Sequence, residues 1–293
     1  MGAAGQGHRH RGLIPMTKLS QAQIDAFHRD GYLAPVDVFT AAEARAWRAD
    51  LEAFERTLPP GPVSAGNRRK LHVRCPWARD LVGDPRLLDV MEQLLGPDIM
   101  VFTSTFFIKE PNTDAITAWH QDATYFGLAP YEHVTAWVAL SEASIEAGCM
   151  EFVPGSHRWG QLAHGQETLP GTINAGARSI SQPIDTSTAL FAPVETGQAS
   201  LHHTLIAHNS PPNRSDDRRI GFGISYIPTR LRHGGSKRMS ATLVRGVDRY
   251  GHFDLEDDPR TLSAAAQAAA HERAYARYRE CHSEQMARYG EVA

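Results

Sequence analysis

The chain has 293 residues, 42% of them hydrophobic, and a formal charge of −3 at pH 7, with a calculated pI of about 6.6. That length can bury one large core with helical additions, and the near-neutral charge gives no global field for nucleic acid or an anionic membrane, so neither is expected as a partner. No apolar run of about 18 residues offers a spanning helix, and Cys75, Cys149 and Cys281 lie far apart without a CxxC pair, so free thiols in a reducing, cytoplasmic setting are expected.

Residues 1–16 place His8, Arg9, His10 and Arg11 among glycines, without the apolar region or cleavage site of a secretory signal. They read as a disordered or non-native tail with Met16 as an alternative start, and their histidines are not read as a metal site. Residues 17–293 are expected to form a single domain, with a helical part over 17–98, a β core over 99–230 and a C-terminal helical extension over 231–293. Ser20 with Gln23 fits a capping box, followed by Ile24, Phe27 and His28 on one helical face and a stop at Asp30-Gly31. Thr40 with Glu43 opens a second helix through Ala46, Trp47, Leu51 and Phe54, after a short extended piece at Tyr32-Leu33. Asp84-Pro85 starts another, whose apolar face is Leu87, Leu88, Val90, Met91, Leu94 and Leu95, and Gly96-Pro97 ends it.

From Ile99 the period changes. Segments 101–108, 134–140, 150–153, 189–191, 200–203 and 220–227 are short, rich in β-branched and aromatic residues, and separated by Gly, Pro, Asn and Asp. Such a series predicts a sandwich or a barrel-like jelly roll. The polar stretch 160–184 reads as a lid or substrate loop. Beyond Tyr250 an Ala-rich helical pattern covers 262–289.

Within the β region stands Trp119-His120-Gln121-Asp122. If His120 and Asp122 share a strand, their i, i+2 spacing points both side chains to one face, about 6–7 Å apart. Imidazole and carboxylate suit Fe(II) or Mn(II), whereas zinc or iron–sulfur sites favour thiolates. HxD alone is weak in a chain with 15 histidines. Context strengthens it: His208 lies between an apolar strand and Asn209-Ser210-Pro211-Pro212-Asn213, which places it at a strand end facing a pocket mouth. Arg219, at the start of the following strand, can hold a carboxylate by two parallel hydrogen bonds, and Ser210 could add a hydroxyl on the face of His208. Two imidazoles and one carboxylate leave open positions on a non-haem Fe(II), where dioxygen can be activated.

These residues, together with Phe106-Phe107-Ile108-Lys109-Glu110-Pro111, Thr135-Ala136-Trp137-Val138-Ala139-Leu140, Gly148-Cys149-Met150 and Val153-Pro154-Gly155-Ser156-His157, resemble the phytanoyl-CoA dioxygenase family over roughly 19–228. The resemblance implies a mainly β protein with flanking helices, built on a double-stranded β-helix (jelly-roll, cupin-like) core. It also implies Fe(II), 2-oxoglutarate and O2 as cofactor and cosubstrates. His120, Asp122 and His208 would be the iron ligands, and Arg219 the partner of the 2-oxoglutarate C5 carboxylate. Ser210, Trp137, Gln121 and Thr105 would belong to the cosubstrate site. Asn209 stands where the family has glycine, and Asn also tolerates left-handed backbone. Related radical halogenases replace the carboxylate ligand by a small residue, so Asp122 favours oxygen transfer. The expected reaction is hydroxylation of an unactivated C–H bond of a small-molecule metabolite, releasing succinate and CO2; desaturation or cyclisation uses the same oxidant. A cupin-like metal-binding or sensing protein without turnover, and a metal-dependent isomerase, are the competing readings.

Other residues read more plainly. His202 and His203 are adjacent, so at most one can face a pocket, and each is read first as structural. His157 reads as a turn residue and Trp119 as a core aromatic. Arg68-Arg69-Lys70 reads as a solvated charge cluster, with a clamp for an anionic substrate as the sharper alternative; Arg230, Arg232 and Lys237 invite the same question. Lys109 is placed at a strand end.

Overall fold

A computed structural model describes residues 18–61, 63–165, 171–173 and 178–291. The expected tail over 1–16, and the parts of the polar loop at 166–170 and 174–177, lie outside the described residues. Helix α1 (Gln21–Asp30) opens on the Ser20/Gln23 capping box and closes at Gly31, whose φ of 81° is open to glycine. Helix α2 (Ala41–Glu55) opens on the Thr40/Glu43 box. Two more follow, α3 (Pro76–Val82) and α4 (Pro85–Leu95), each with proline in its first turn, and the Asp84 side chain caps the latter.

The strands are β1 (Tyr32–Asp37), β2 (Ile99–Lys109), β3 (Thr117–His120), β4 (Leu128–Ala129), β5 (Val134–Ala139), β6 (Met150–Phe152), β7 (His164–Gly165), β8 (Ser179–Ile180), β9 (Leu190–Ala192), β10 (Gln198–His203), β11 (His208–Ser210), β12 (Arg219–Pro228), β13 (Arg232–His233), β14 (Ser240–Arg245) and β15 (Asp254–Leu255). One sheet runs β1-β10-β5-β12-β2-β14-β15 and a smaller one runs β3-β11-β6-β9. With the helices at both ends of the chain, this is the expected jelly-roll core. The larger sheet also draws β1, β14 and β15 from outside 99–230. Only Tyr32-Leu33 of β1 stood out in the sequence, because Pro35 has no N–H for the ladder and the register shifts between Leu33 and Val36.

Alternation along the strands sorts the two faces of the large sheet. Phe106, Ile108, Ala136, Val138, Leu201, Ile220, Phe222 and Ile224 share a buried cluster with Leu51, Leu81, Leu87, Leu88 and Met91 of the helices. The intervening residues, including Thr103, Thr105, Phe107, Thr135, Trp137, Gly223 and Ser225, line a cavity to which the smaller sheet also contributes. Helix α6 (Ala264–Glu291) brings Tyr278 and Cys281 onto Phe102, Met239 and Phe253. Among the described residues no helix is long and apolar enough to cross a membrane.

The basic run is not a solvated cluster. Lys70 is fully buried and paired with Glu256, and His72 Nε2 lies 3.3 Å from the same carboxylate. Ser240 and Thr242 donate to it at 2.7 Å each. Lys70 adopts the left-handed conformation (φ 53°), and its partner lies far along the chain, so local charge density could not reveal the pair. Arg230 pairs with Glu132 and Lys237 with Glu280 at the surface, and Arg232 is exposed.

Burial holds the His72 imidazole down at about 4, against an ordinary 6.5. Burial opposes ionisation of Glu256, but the charge of Lys70 and the contact with His72 outweigh it and hold the carboxyl well below its ordinary range. Both groups bind protons less readily when folded. The unfolded chain therefore takes up protons first as pH falls, and stability declines from about 6.5 towards 4 for His72 and below about 4.5 for Glu256. Denaturant titrations should show this acid-side decline. At pH 7, Glu256→Gln should destabilise by about 3–5 kcal/mol, since Lys70 is left buried without its counter-charge.

Candidate metal centre

The two histidines meet through strand register: β11 runs antiparallel to β3 with His208 directly opposite His120. Their ring centroids lie 4.0 Å apart. His120 Nδ1 donates to the Ala118 carbonyl at 2.8 Å and His208 Nδ1 to the Ile206 carbonyl at 3.0 Å. A carbonyl can only accept, so both Nδ1 atoms carry the proton and both Nε2 lone pairs remain for a metal. Burial, then the neighbouring His120 and His202, pushes the His208 pKa well below its ordinary value, which favours the neutral form a metal ligand needs.

Asp122 reaches the same point differently from the sequence expectation. It does not share a strand with His120: β3 ends at His120, and Asp122 has helical backbone angles (φ −60°, ψ −35°) at the head of a short helix, α5 (Ala123–Phe126). The turn brings Asp122 Oδ1 to 3.6 Å from His120 Nε2 and 3.9 Å from His208 Nε2. The three residues offer ligand atoms all within 4.8 Å of one another, and they form the one such group found among the described residues. Burial opposes ionisation of Asp122, yet its contacts with the imidazoles of His120, His202 and His208 hold its carboxyl well below its ordinary value.

His120, Asp122 and His208 open onto a cavity with about 550 Å³ of space free of protein atoms, its mouth included. Thr105, Trp137, Ser210 and Arg219 line it as well. Arg219 is buried and spends Nη1 on the Gly148 carbonyl at 3.2 Å, while Nε and Nη2 have no protein partner. Its guanidinium lies 5.3 Å over the Trp137 ring. On the adjacent strand Lys109, opposite Arg219 in register, donates to the Ser210 carbonyl at 2.9 Å, to Ser210 Oγ at 2.7 Å and to the Pro211 carbonyl. Burial and then the charge of Arg219 push Lys109 down to about 6, and burial lowers Arg219 to about 10. Neither has a carboxylate at ion-pair distance among the described residues. The Arg219 cation is costly to bury alone, and an anionic ligand in the cavity would supply the missing partner.

The phytanoyl-CoA dioxygenase family model matches residues 27–221. The chain belongs to that family. It is 26% identical over 209 residues to a phytanoyl-CoA dioxygenase domain-containing protein 1 homolog of Caenorhabditis elegans, covering 70% of this chain and 71% of that one. The corresponding Danio rerio protein is 32% identical over 152 residues, covering 51% and 52%. Among solved structures, the apo form of ThoJ, described as a non-heme monooxygenase, superposes with a TM-score of 0.81 at 32% identity over 91% of this chain and 99% of that one. SnoK, described as a non-heme alpha ketoglutarate dependent carbocyclase, gives 0.59 at 26% identity over 80% and 90%.

In this phytanoyl-CoA dioxygenase family member several neighbours of the site depart from the sequence expectation. Gln121 is not among the cavity-lining residues: its amide donates to the Gly160 and Leu205 carbonyls at 2.8 and 2.7 Å and accepts from Leu162 N at 2.7 Å. It pins surrounding loops and is not placed to touch a cosubstrate. Asn209 lies in β11 opposite Glu151 and is not left-handed, so the substitution for glycine demands no special turn. Trp119 is half-buried and His157 sits in a turn, its Nε2 3.2 Å from the His28 carbonyl. Of the adjacent pair, His202 lines the cavity and His203 accepts from Leu205 N, so the structural reading of His202 gives way to one at the site.

Two further residues escaped the sequence reading. Thr135 Oγ1 donates to Asp122 Oδ2 at 2.8 Å. Asn213 is fully buried; its amide donates to the Asp217 carbonyl at 2.8 Å and to those of Lys109 and Glu110, and its oxygen accepts from Ser215 N. It fixes the turn between His208 and Arg219, and the Asn-Arg-Ser spacing of an Asx turn was the available signal. Gly221 lies against Trp137, where an added Cβ would stand 1.7 Å from the indole. Gly221→Ala should therefore displace the ring and destabilise the protein by about 1–3 kcal/mol in denaturant titrations, with a changed near-ultraviolet signal from Trp137.

Proposed function

We propose that this chain is an Fe(II)- and 2-oxoglutarate-dependent dioxygenase that hydroxylates an unactivated C–H bond of a small-molecule metabolite. The observation that carries the reading is one cavity holding two oriented imidazoles, a carboxylate, and a buried guanidinium with two nitrogens lacking protein partners. His120, Asp122 and His208 would hold the metal. Arg219 would clasp the C5 carboxylate of 2-oxoglutarate, with Lys109 and Ser210 beside it, while Trp137 and Thr105 wall the cosubstrate. Iron with 2-oxoglutarate and dioxygen supplies the oxidising power, with succinate and carbon dioxide as the cosubstrate's products. The protein's own contribution is to fix donor geometry, neutralise the cosubstrate's charge and hold the reacting carbon in a cavity that limits water.

Family membership supports the reading, as do the names of two relatives: ThoJ, also solved as a nickel complex and called a non-heme monooxygenase, and SnoK, called alpha ketoglutarate dependent. Asp122 supplies the carboxylate where a halide would need a vacancy, which favours oxygen transfer. Arg69 supports an anionic small molecule as substrate: its backbone bridges cavity-lining Thr105, its guanidinium lies 5.6 Å over the Tyr278 ring, and it has no ion pair among the described residues. Three buried free thiols support a reducing, cytoplasmic setting, and helices at both ends packed on the core support one domain over 17–293.

The test loads the protein anaerobically with Fe(II), 2-oxoglutarate and a panel of candidate substrates, then admits oxygen and measures succinate. Substrate-dependent succinate release is expected, and its absence across the panel with iron bound would count against the reading. His208→Ala should lower release by at least about 100-fold. Arg219→Ala should raise the 2-oxoglutarate requirement about tenfold or more while changing the maximal rate less; an unchanged requirement would remove Arg219 as the anchor.

A further inference from the structure

The two oxygens of Asp122 have different surroundings. Oδ1 faces the Nε2 atoms of His120 and His208, at 3.6 and 3.9 Å. Oδ2 accepts from Thr135 Oγ1 at 2.8 Å and lies 3.3 Å from His202 Nε2. Thr135 and His202 come from neighbouring strands, β5 and β10, and stand directly opposite each other in the antiparallel register. They therefore project from the same face of the large sheet as a cross-strand pair and converge on one oxygen atom.

The direction of the hydrogen bonds is set from behind. His133 Nε2 lies 3.2 Å from Thr135 Oγ1. An imidazole N–H given to the hydroxyl oxygen leaves the hydroxyl hydrogen for Asp122, which as a carboxylate can only accept. His202 approaches Oδ2 through Nε2, and its Nδ1 has no protein partner, as suits a ring donating from Nε2. Two donors occupy the lone pairs of Oδ2, and Oδ1 is left facing the imidazoles.

We propose that Thr135 and His202 are positioning residues that make Asp122 a one-oxygen metal ligand, by occupying Oδ2 from the large sheet while Oδ1 meets the metal. The inference rests on the metal centre proposed above. With Oδ2 occupied by two donors, Asp122 would offer the metal one oriented oxygen beside the two imidazoles, whereas a carboxylate free to turn would lose that orientation and hold the metal less well. The pair also ties the carboxylate, carried by the smaller sheet's end and α5, to the larger sheet that carries Arg219.

The test measures Co(II) binding to the metal-free full chain by calorimetry, without cosubstrate. Thr135→Val and His202→Phe keep side-chain shape and remove the donor, and each should weaken Co(II) binding by about 10–100-fold. Thr135→Ser and His202→Gln retain a donor and should return to within about threefold of the wild type. Wild-type affinity in folded Thr135→Val and His202→Phe, checked by melting temperature, would overturn the proposal. If His202→Phe does not fold, Thr135→Val against Thr135→Ser decides it. A wild type that binds Co(II) no better than His208→Ala would instead overturn the metal-centre reading, and this inference with it.

Discussion

The position of β12 is the constraint on which the rest of the site depends. All ten of its residues are buried, and it pairs on both edges, with β2 and with β5. A slip of one residue would turn Ile220, Phe222 and Ile224 out of the helix-covered core and Gly223 and Ser225 into it, a loss of packing that fixes the register strongly. The same register sets Arg219 opposite Lys109 and Gly223 opposite Trp137. Core packing on one face thus determines charge placement on the other, and the helices α2 to α4 bear on the chemistry without touching it.

The interior treats its buried basic groups in two ways. Lys70 is matched within the chain by Glu256, which also takes hydrogen bonds from Ser240 and Thr242. Arg219 and Lys109 are equally removed from water, yet their protein partners are carbonyls and a hydroxyl. A permanent internal carboxylate there would stabilise the empty protein and obstruct an anionic ligand. The two guanidinium nitrogens left unpartnered suit a ligand that brings its own negative charge. The Lys70–Glu256 pair has a structural role, and Arg219 is suited to binding.

Much of this was legible locally. The capping boxes at Ser20 and Thr40 and the proline start at Asp84 act within four residues, so their sequence signatures carry directly into α1, α2 and α4. That His120, Asp122, His208 and Arg219 share one cavity was legible because they stand in the order of the family motif, and Trp137, Ser210 and Thr105 line the same cavity. What escaped depended on contacts between distant segments or on a local change of backbone. Asp122 leaves the strand for a helical turn, which a period-two reading could not detect, and that turn also sends Gln121 into the loops at Gly160 and Leu205. Lys70 needed Glu256, and His202 needed its cross-strand neighbour Thr135, before either could be told from an ordinary charge or an ordinary histidine.

The metal-facing donors show why a jelly roll can host this site with few dedicated residues. The Nδ1 atoms of His120 and His208 each bond the carbonyl two residues earlier in their own chain segment, so the backbone itself orients both rings. The carboxylate has no such local support, because α5 begins at Asp122 and its side chain accepts no capping hydrogen bond there. Its orientation has to come from elsewhere in the fold, and the nearest available donors are Thr135 and His202 on the large sheet. Closure of the two sheets is then a requirement for a complete ligand set: the histidines can be oriented by the smaller sheet alone, whereas the aspartate is oriented only when the larger sheet is packed against it.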